Sequence, residues 1–399
     1  MAAFARRPIG EVIEFSQYGL SLAASATGTH SIVGMKDIQD GRVRVDEHVR
    51  VTLSEAEAGR FLLQPGDVLL NRTNSNELVG KCAIFDRTRE AVFASYLVRL
   101  RFRSDQIVPA FANYYLNSEF GQSQLKVLAT RGVSQANINP STFAAHFTIP
   151  VPPLDEQRRI VAVLDAWDRQ LALTQSRHMA SSSRYDGLLQ QFMRPVELRR
   201  ASGWRRVLMA DAFSERDERS DALPLLAITS ADGVVPRDSL DRRDTASEDK
   251  SNYKVIRKGD IGYNTMRMWQ GVFGLSRYNG IVSPAYTVIT PNTDVIDAAF
   301  AAHLFAHPRV IHMFHRYSQG LVDDTLMLKF PHFSEIRLPL PDLWTQKAIA
   351  KALDAVQLEI GKRAELVQAV ERQKRGLMQL LLSGEKRLLR DLPGMEAAA

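Results

Sequence analysis

Ile149-Pro150-Val151-Pro152-Pro153-Leu154-Asp155-Glu156-Gln157-Arg158-Arg159-Ile160 decides the reading of this chain, because most of it is written twice. Its prolines, leucine, glutamine and isoleucine return in Pro339-Leu340-Pro341-Asp342-Leu343, Gln346 and Ile349, and Leu164-Asp165-Ala166 returns as Leu353-Asp354-Ala355. Pro150 and Pro339 stand 189 positions apart, as do Asp165 and Asp354, and the register holds to Gly187-Leu188 against Gly376-Leu377. A constant offset over about forty residues marks an internal duplication, which splits the chain into two equivalent halves.

From Gln157 onward, steps of three and four residues pick out Gln157, Ile160, Leu164, Trp167, Leu171, Thr174, His178, Ser181, Tyr185, Leu188 and Phe192. The second copy gives Gln346, Ile349, Leu353, Val356, Ile360, Arg363, Val367, Val370, Lys374, Leu377 and Leu381. A mean step of about 3.5 residues is a coiled-coil seam, so each segment is expected to be a long helix. Pro152 and Pro341 lie just outside the helix starts, where proline is tolerated. Roughly 40 residues at 1.5 Å each give rods of about 60 Å, well beyond the usual globular helix. Thr174, His178 and Ser181 weaken the first seam, which argues against a free-standing parallel zipper and for antiparallel pairing of the two rods. Small Ser181-Ser182-Ser183 let a partner backbone come close. Two unrelated surface helices on one core would leave the shared register unexplained.

The 399 residues suggest about two to four domains, and an apolar fraction of 45% supplies real cores. No run approaches the roughly 18 apolar residues of a membrane span. Met1-Ala2-Ala3-Phe4-Ala5-Arg6-Arg7 lacks the ordered regions of a secretory leader, so the expectation is a cytoplasmic protein with no membrane partner. The single Cys82 excludes an internal disulfide and a cysteine zinc cluster. A net charge of +6 and a pI near 9.4 suit a polyanionic partner without demanding one.

The segments before the long helices repeat more loosely. Gly66-Asp67-Val68 answers Gly259-Asp260-Ile261, Tyr96-Leu97-Val98 answers Ala285-Tyr286-Thr287-Val288, and Phe111-Ala112 answers Phe300-Ala301. Short β-branched and aromatic runs at Val43-Val45, Val49-Val51, Val68-Leu70, Tyr96-Phe102, Tyr253-Ile256 and Val282-Ile289 read as strands. Helical pairs are expected near 110–129 and 297–317, and the charged segments Ser214–Asp221 and Pro236–Ser251 read as loops. The expected class is α+β: strand-rich domains over 1–152 and 204–341, each followed by a long helix (153–194 and 342–384), with a linker at 195–203 and a tail at 385–399. The two helices are expected to pair as an antiparallel coiled coil.

Catalytic loops are missing. Gly80-Lys81-Cys82 and Gly361-Lys362-Arg363 lack the earlier glycine and the hydroxyl of a phosphate-binding loop. Neither a dinucleotide fingerprint nor a nucleophile elbow occurs, and Asn139-Pro140-Ser141-Thr142 does not resemble the Asn/Asp-Pro-Pro-aromatic loop of amino-methyltransferases. His303, His307, His312 and His315 cluster in sequence, but Pro308 interrupts them and Tyr114, Ser118 and Ser123 stand at the corresponding places. A repeated helix-break-helix element accounts for them without a metal.

With its Pro-x-Pro-x-Leu-x-x-Gln-x-x-Ile lead-in occurring twice, each time after a domain with a Gly-Asp strand, the chain resembles the specificity subunit of Type I restriction-modification systems. Arg131-Gly132-Val133-Ser134-Gln135-Ala136-Asn137-Ile138 is similar to the family's segment just upstream of that lead-in. The second copy departs at Trp344-Thr345, which replaces the acidic pair, and at Gly320-Leu321-Val322-Asp323-Asp324. The resemblance implies a non-catalytic subunit of a DNA-methylating, phage-defending complex. Its two target-recognition domains would each read half of a bipartite, asymmetric sequence in double-stranded DNA, and the helices would set the distance between the halves. It further implies two copies of a modification subunit that carry S-adenosylmethionine and methylate adenine, with restriction subunits in some complexes. No cofactor is expected on this chain itself.

Base readers must be polar side chains on loops, with arginine suited to guanine and asparagine or glutamine to adenine. In the first domain the candidates are Asn71, Arg72, Thr73, Asn74 and Ser75 after the Gly-Asp strand, with Arg131, Ser134, Gln135 and Asn137. In the second they are Asn264, Arg267, Trp269 and Gln270. Asn and Ser between strands are also ordinary turn formers, and Trp269 between methionines also reads as a small core plug. Arg372, Lys374, Arg375, Lys386 and Arg387 read either as a solvated face or as a dock for the modification subunits. A coiled-coil scaffold that binds protein rather than DNA is the alternative reading, separated from the first by sequence-selective DNA binding.

Overall fold

A computed structural model describes residues 4–86, 90–132, 135–193, 203–230, 232–240, 249–322 and 325–388. The chain folds into two compact units, Met1–Leu173 with Leu366–Ala399, and Thr174–Glu365. The long helices Leu154–Phe192 and Leu343–Ser383 each contribute one half to either unit. The sequence-based linker at 195–203, apart from Gly203, and the tail beyond Leu388 lie outside the described residues.

In the first unit the main sheet runs in the order Ile13–Tyr18, Leu97–Phe102, Val68–Asn71, Cys82–Ile84, Arg42–Val43, Ile38–Gln39. Val68, Leu69, Leu70 and Asn71 are all buried, so this central strand is covered on both faces. Helices Pro109–Asn117 and Glu119–Leu128 turn about Ser118, whose hydroxyl donates to Tyr115 O and accepts from Gly121 N. Phe111, Tyr115, Phe143, Phe147 and Ile149 join Ile160 and Leu164 of the first long helix and Leu381 and Leu382 of the second in one core. Each such side chain contributes roughly 1.5–3 kcal/mol on burial, so helix and sheet stabilise each other.

The second unit repeats this plan with a four-stranded sheet in the order Phe213–Glu215, Tyr286–Pro291, Ile261–Asn264, Phe273–Leu275. Phe300, Phe305, Phe314 and Phe333 pack there with Leu189 and Leu353 of the long helices. Two expectations are corrected. Ser214 and Glu215 are not loop but an edge strand, paired with Thr290 and Ile289; only Phe213 of that strand is buried, so its solvent-facing residues carry no core signal. The run Val282–Ile289 is two strands, Gly280–Val282 and Tyr286–Pro291, separated by a turn.

The duplicated lead-in has a structural cause. Gln157 is wholly buried: its Oε1 accepts from Val108 N (2.7 Å), and its Nε2 donates to Gln106 O (3.1 Å) and Pro152 O (2.7 Å). Gln346 makes the same three bonds, with Asp297 N (2.9 Å), Val295 O (3.1 Å) and Pro341 O (2.9 Å). One amide therefore pins the start of each long helix to the backbone that leads into the preceding helical pair. No shorter or purely apolar side chain could satisfy two carbonyls and an amide at once.

The Gly-Asp repeat is likewise structural. Gly66 and Gly259 both hold φ of +96°, a conformation that disfavours other residues. Buried Asp67 accepts from Gln64 N and, through both oxygens, from Arg101 (2.7 and 2.8 Å). Buried Asp260 accepts from Arg257 N and from Arg216 (2.7 and 3.2 Å) and Thr290.

Every seam position predicted along both long helices is buried or half-buried, none exposed. The pairing is antiparallel within each unit. In the first, Glu156 meets Arg387 and Asp168 meets Lys374; in the second, Ser181 and Arg184 meet Glu359. Lys374 and Arg387 are thus engaged in holding the first unit together and are not a solvated face or a free dock. Arg387 bonds both oxygens of Glu156, a carboxylate of 1% exposure that also accepts from Leu388 N. The Arg387 hydrogen bonds hold the Glu156 carboxyl below its ordinary pKa.

The duplicated Asp165 and Asp354 share a task. The Tyr114 hydroxyl, with one hydrogen to donate, lies 2.7 Å from Asp165 Oδ1 and 2.5 Å from Asp168 Oδ2, while His303 Nε2 faces Asp354 at 3.0 Å and its Nδ1 faces the Tyr185 hydroxyl at 2.9 Å. Burial pushes the Tyr185 hydroxyl up to about 12 and holds the His303 imidazole below its ordinary value, against the pull of Asp354. His303 is therefore a packing and hydrogen-bonding residue, in the place that Tyr114 fills in the first unit. Among the described residues no group of three histidine, cysteine or acidic side chains is arranged to hold a metal.

Candidate nucleic-acid interface

A hairpin places the first unit's polar candidates. Ala129–Arg131 pairs with Ala136–Ile138, which pairs in turn with Thr73–Asn74, so Asn137 lies directly across from Thr73. Arg72 precedes that last strand and is tied to both sheets, its N donating to Tyr96 O (3.1 Å) and its O accepting from Ile138 N (2.8 Å). These residues line an open cleft of about 590 Å³, formed by Arg72, Thr73, Tyr96, Thr130, Gly132, Gln135, Ala136, Asn137 and Asn139.

Its chemistry is polar and cationic with aromatic walls. Arg72 Nη1 donates to Asn137 Oδ1 (3.1 Å), and Thr73 Oγ1 donates to the same oxygen (2.9 Å). The Arg72 guanidinium lies 4.9 Å from the centre of the Tyr18 ring, and Tyr18 and Tyr96 are each 50% exposed. A half-buried arginine, amides and Tyr96 in one concave surface, with Tyr18 beside Arg72, can grip a phosphate backbone and contact base edges together. Tyr18 and Tyr96 were missed as candidates; the sequence signal was an aromatic beside a strand end, which reads equally well as core.

The remaining first-unit candidates divide. Gln135 and Asn137 are exposed, and Asn74 and Ser75 are half-buried, with Asn74 Oδ1 accepting from Ser75 N as in an ordinary turn. Arg131 ends its strand opposite Ala136, and Ser134 lies outside the described residues. Asn71 is corrected: its side chain is 0% exposed and both amide atoms are enclosed, so it presents nothing to a DNA groove.

Comparison with known proteins follows the same lines. A family model described as Type I restriction modification DNA specificity domain matches residues 4–179. The sequence is 22% identical to a Methanocaldococcus jannaschii protein named as the type I restriction enzyme MjaX specificity subunit, over 96% of this chain and 93% of that one. Residues 4–179 thus match the Type I restriction modification DNA specificity domain, and the chain as a whole is similar to a specificity subunit. The fold is similar to that of the S subunit of the Type-I restriction-modification system of M. genitalium, with a TM-score of 0.59, 13% identity, and 95% and 96% of the two chains covered. It is also similar to a chain solved in work on complex assembly and conformational transition of the type I R-M system, with a TM-score of 0.55, 17% identity, and 96% and 98% covered. A specificity subunit recognises the DNA target and is not the enzyme of its complex.

The second unit keeps the frame and changes the contents. Thr265 N donates to Ala285 O (3.2 Å) and Leu328 N to Thr265 O (2.8 Å), the two ties that Arg72 makes in the first unit. Thr265, not Arg267, therefore stands where Arg72 stands, and Met266 and Met327 stand where Thr73 and Asn137 do. Arg267 and Gln270 are exposed on the following turn. Asn264 Oδ1 accepts from Met266 N, and Trp269 Nε1 donates to Met266 O with its ring 5.4 Å from that of His315. Trp269 is half-buried against the helix Pro308–Tyr317 while Met268 beneath it is fully buried, so the core-plug reading holds for Met268 and in part for Trp269.

Proposed function

We propose that this specificity subunit reads a two-part, asymmetric sequence in double-stranded DNA, one part through the cleft at Arg72, Thr73 and Asn137, the other through the surface around Thr265–Gln270. The observation that carries this reading is that equivalent backbone positions hold Arg, Thr and Asn in one unit and Thr, Met and Met in the other. Two frames of one design with unlike contents suit two unlike half-sites. A polar set would hydrogen-bond base edges, whereas methionines favour apolar contacts such as a thymine methyl.

In this reading the subunit works in the cytoplasm and carries two copies of a modification subunit, which hold S-adenosylmethionine, flip the target adenines and methylate them. Where a restriction subunit is encoded beside them, it joins the same complex. The paired long helices are the element whose length would set the spacer between half-sites.

The test is to purify the chain with its modification subunit and map methylated adenines on genomic DNA with and without it. A single split motif that disappears with the chain is expected. Methylation that persists unchanged without it, or a purified complex that protects no duplex, would return the chain to the scaffold reading.

A further inference from the structure

Asn137 is held so that only half of its amide is free. Its Oδ1 faces Arg72 Nη1, and a guanidinium can only donate, so the amide atom turned inward is the oxygen. That oxygen has two lone pairs, and Arg72 at 3.1 Å and Thr73 at 2.9 Å occupy both. What the exposed side chain turns to the cleft is its NH2, a donor alone. The usual pairing of asparagine with adenine needs both functions, Nδ2 donating to N7 and Oδ1 accepting from the N6 amino group.

From this geometry we infer that Asn137 reads its base through the amide N–H donors alone, and therefore selects a keto base in the major groove, guanine or thymine, at one position of the first half-site. Guanine offers N7 and O6 and thymine offers O4, all acceptors; cytosine offers only its N4 amino donor, and adenine offers one acceptor, N7, beside an N6 amino group that would face the second N–H. Arg72 and Thr73 are positioning residues in this scheme. Arg72 is itself held by the Tyr18 ring at 4.9 Å, and its backbone is tied at Tyr96 and Ile138, so the oxygen it engages cannot turn outward without breaking that arrangement. The inference rests on the reading of the cleft as a DNA reader and adds which chemistry it selects.

Selection from a randomised duplex DNA pool by the complex of this chain with its modification subunit tests it. One first-half position restricted to guanine or thymine is expected, and 7-deazaguanine in that position, which removes N7, separates the two by weakening binding only if guanine is read. Asn137→Asp keeps acceptors for Arg72 and Thr73 but replaces the outward donor with an acceptor. It should move that position to cytosine or adenine, with discrimination changing by about 10- to 100-fold. Arg72→Ala combined with Thr73→Val releases Oδ1 and should admit adenine at the same position, leaving the second half of the motif as it was. A wild-type motif that neither variant alters overturns the inference while leaving the two-part reading in place. A wild-type complex that enriches no motif overturns the two-part reading and the inference with it.

Discussion

Gln157→Ala tests the clamp at the start of the first long helix directly. It removes three hydrogen bonds at a fully buried site and leaves Val108 N, Gln106 O and Pro152 O facing a cavity. At roughly 1 kcal/mol net for each bond, and more where a buried partner is left without water, the loss is about 3 kcal/mol. For a unit of this size each kcal/mol lowers the midpoint by about 2–4 °C, so thermal unfolding of the purified complex should begin about 6–12 °C earlier. Gln157→Glu keeps the acceptor for Val108 N but cannot donate to the two carbonyls, so it should fall between wild type and alanine only at acidic pH. Arg158→Ala is the control: Arg158 pairs with Asp155 at the surface, with both side chains more than half exposed, and its loss should cost under about 0.5 kcal/mol. A Gln157→Ala variant that unfolds within 2 °C of wild type, on the order of the control, would refute the clamp.

Three further outcomes are expected. Arg387→Ala leaves the buried Glu156 carboxylate with the hydrogen bond from Leu388 N and should cost on the order of 3 kcal/mol by chemical denaturation. Because the folded carboxyl is depressed, that stability is present above its ordinary pKa and lost as pH falls through the lowered value; Glu156→Gln should remove this acid limb from the denaturation profile. His303 is also depressed, chiefly by burial, so the second unit loses stability as pH falls from about 6.5 toward the lowered value, where the ring must charge. His303→Tyr, which copies Tyr114, should flatten that limb, and an unchanged limb would place the titration elsewhere. Gly259→Ala meets no atom within 4 Å but must hold φ at +96°, so a loss of about 1–3 kcal/mol in the same assay would be backbone strain alone.

The duplication and the seam were legible because both are periodic: a fixed offset and a 3.5-residue step survive any change of neighbours. The antiparallel pairing followed from polar Thr174, His178 and Ser181, and Ser181 indeed bonds Glu359. The site was harder to read for a local reason. Asn71, Arg72 and Thr73 look alike in sequence, yet the strand before them is buried on both faces, so period-two alternation gives no hint that Asn71 is enclosed and Arg72 is not. Arg267 looked like the partner of Arg72 because both follow a Gly-Asp strand. Only the backbone ties through Ala285 and Leu328 show that Thr265 takes that place. The Gly-Asp pair itself proved to be a turn held by an arginine from a different position in each unit, Arg101 and Arg216, a long-range choice that no local pattern records.

The strand that returns beside the Gly-Asp strand adds one more degree of freedom. Cys82 faces Leu70 in the first unit, and Phe273 faces Tyr263 in the second. Ten steps of chain lead from Arg72 to Cys82, but eight lead from Thr265 to Phe273; seven lead from Ile84 to Ala91, but five from Leu275 to Gly280. Chain length therefore differs on both flanks of one short strand, whereas the helical pair and the glutamine clamp keep one offset of 189, Phe111 to Phe300 and Gln157 to Gln346. A recognition surface built this way can diversify by loop length as well as by residue identity, without disturbing the segment that carries it.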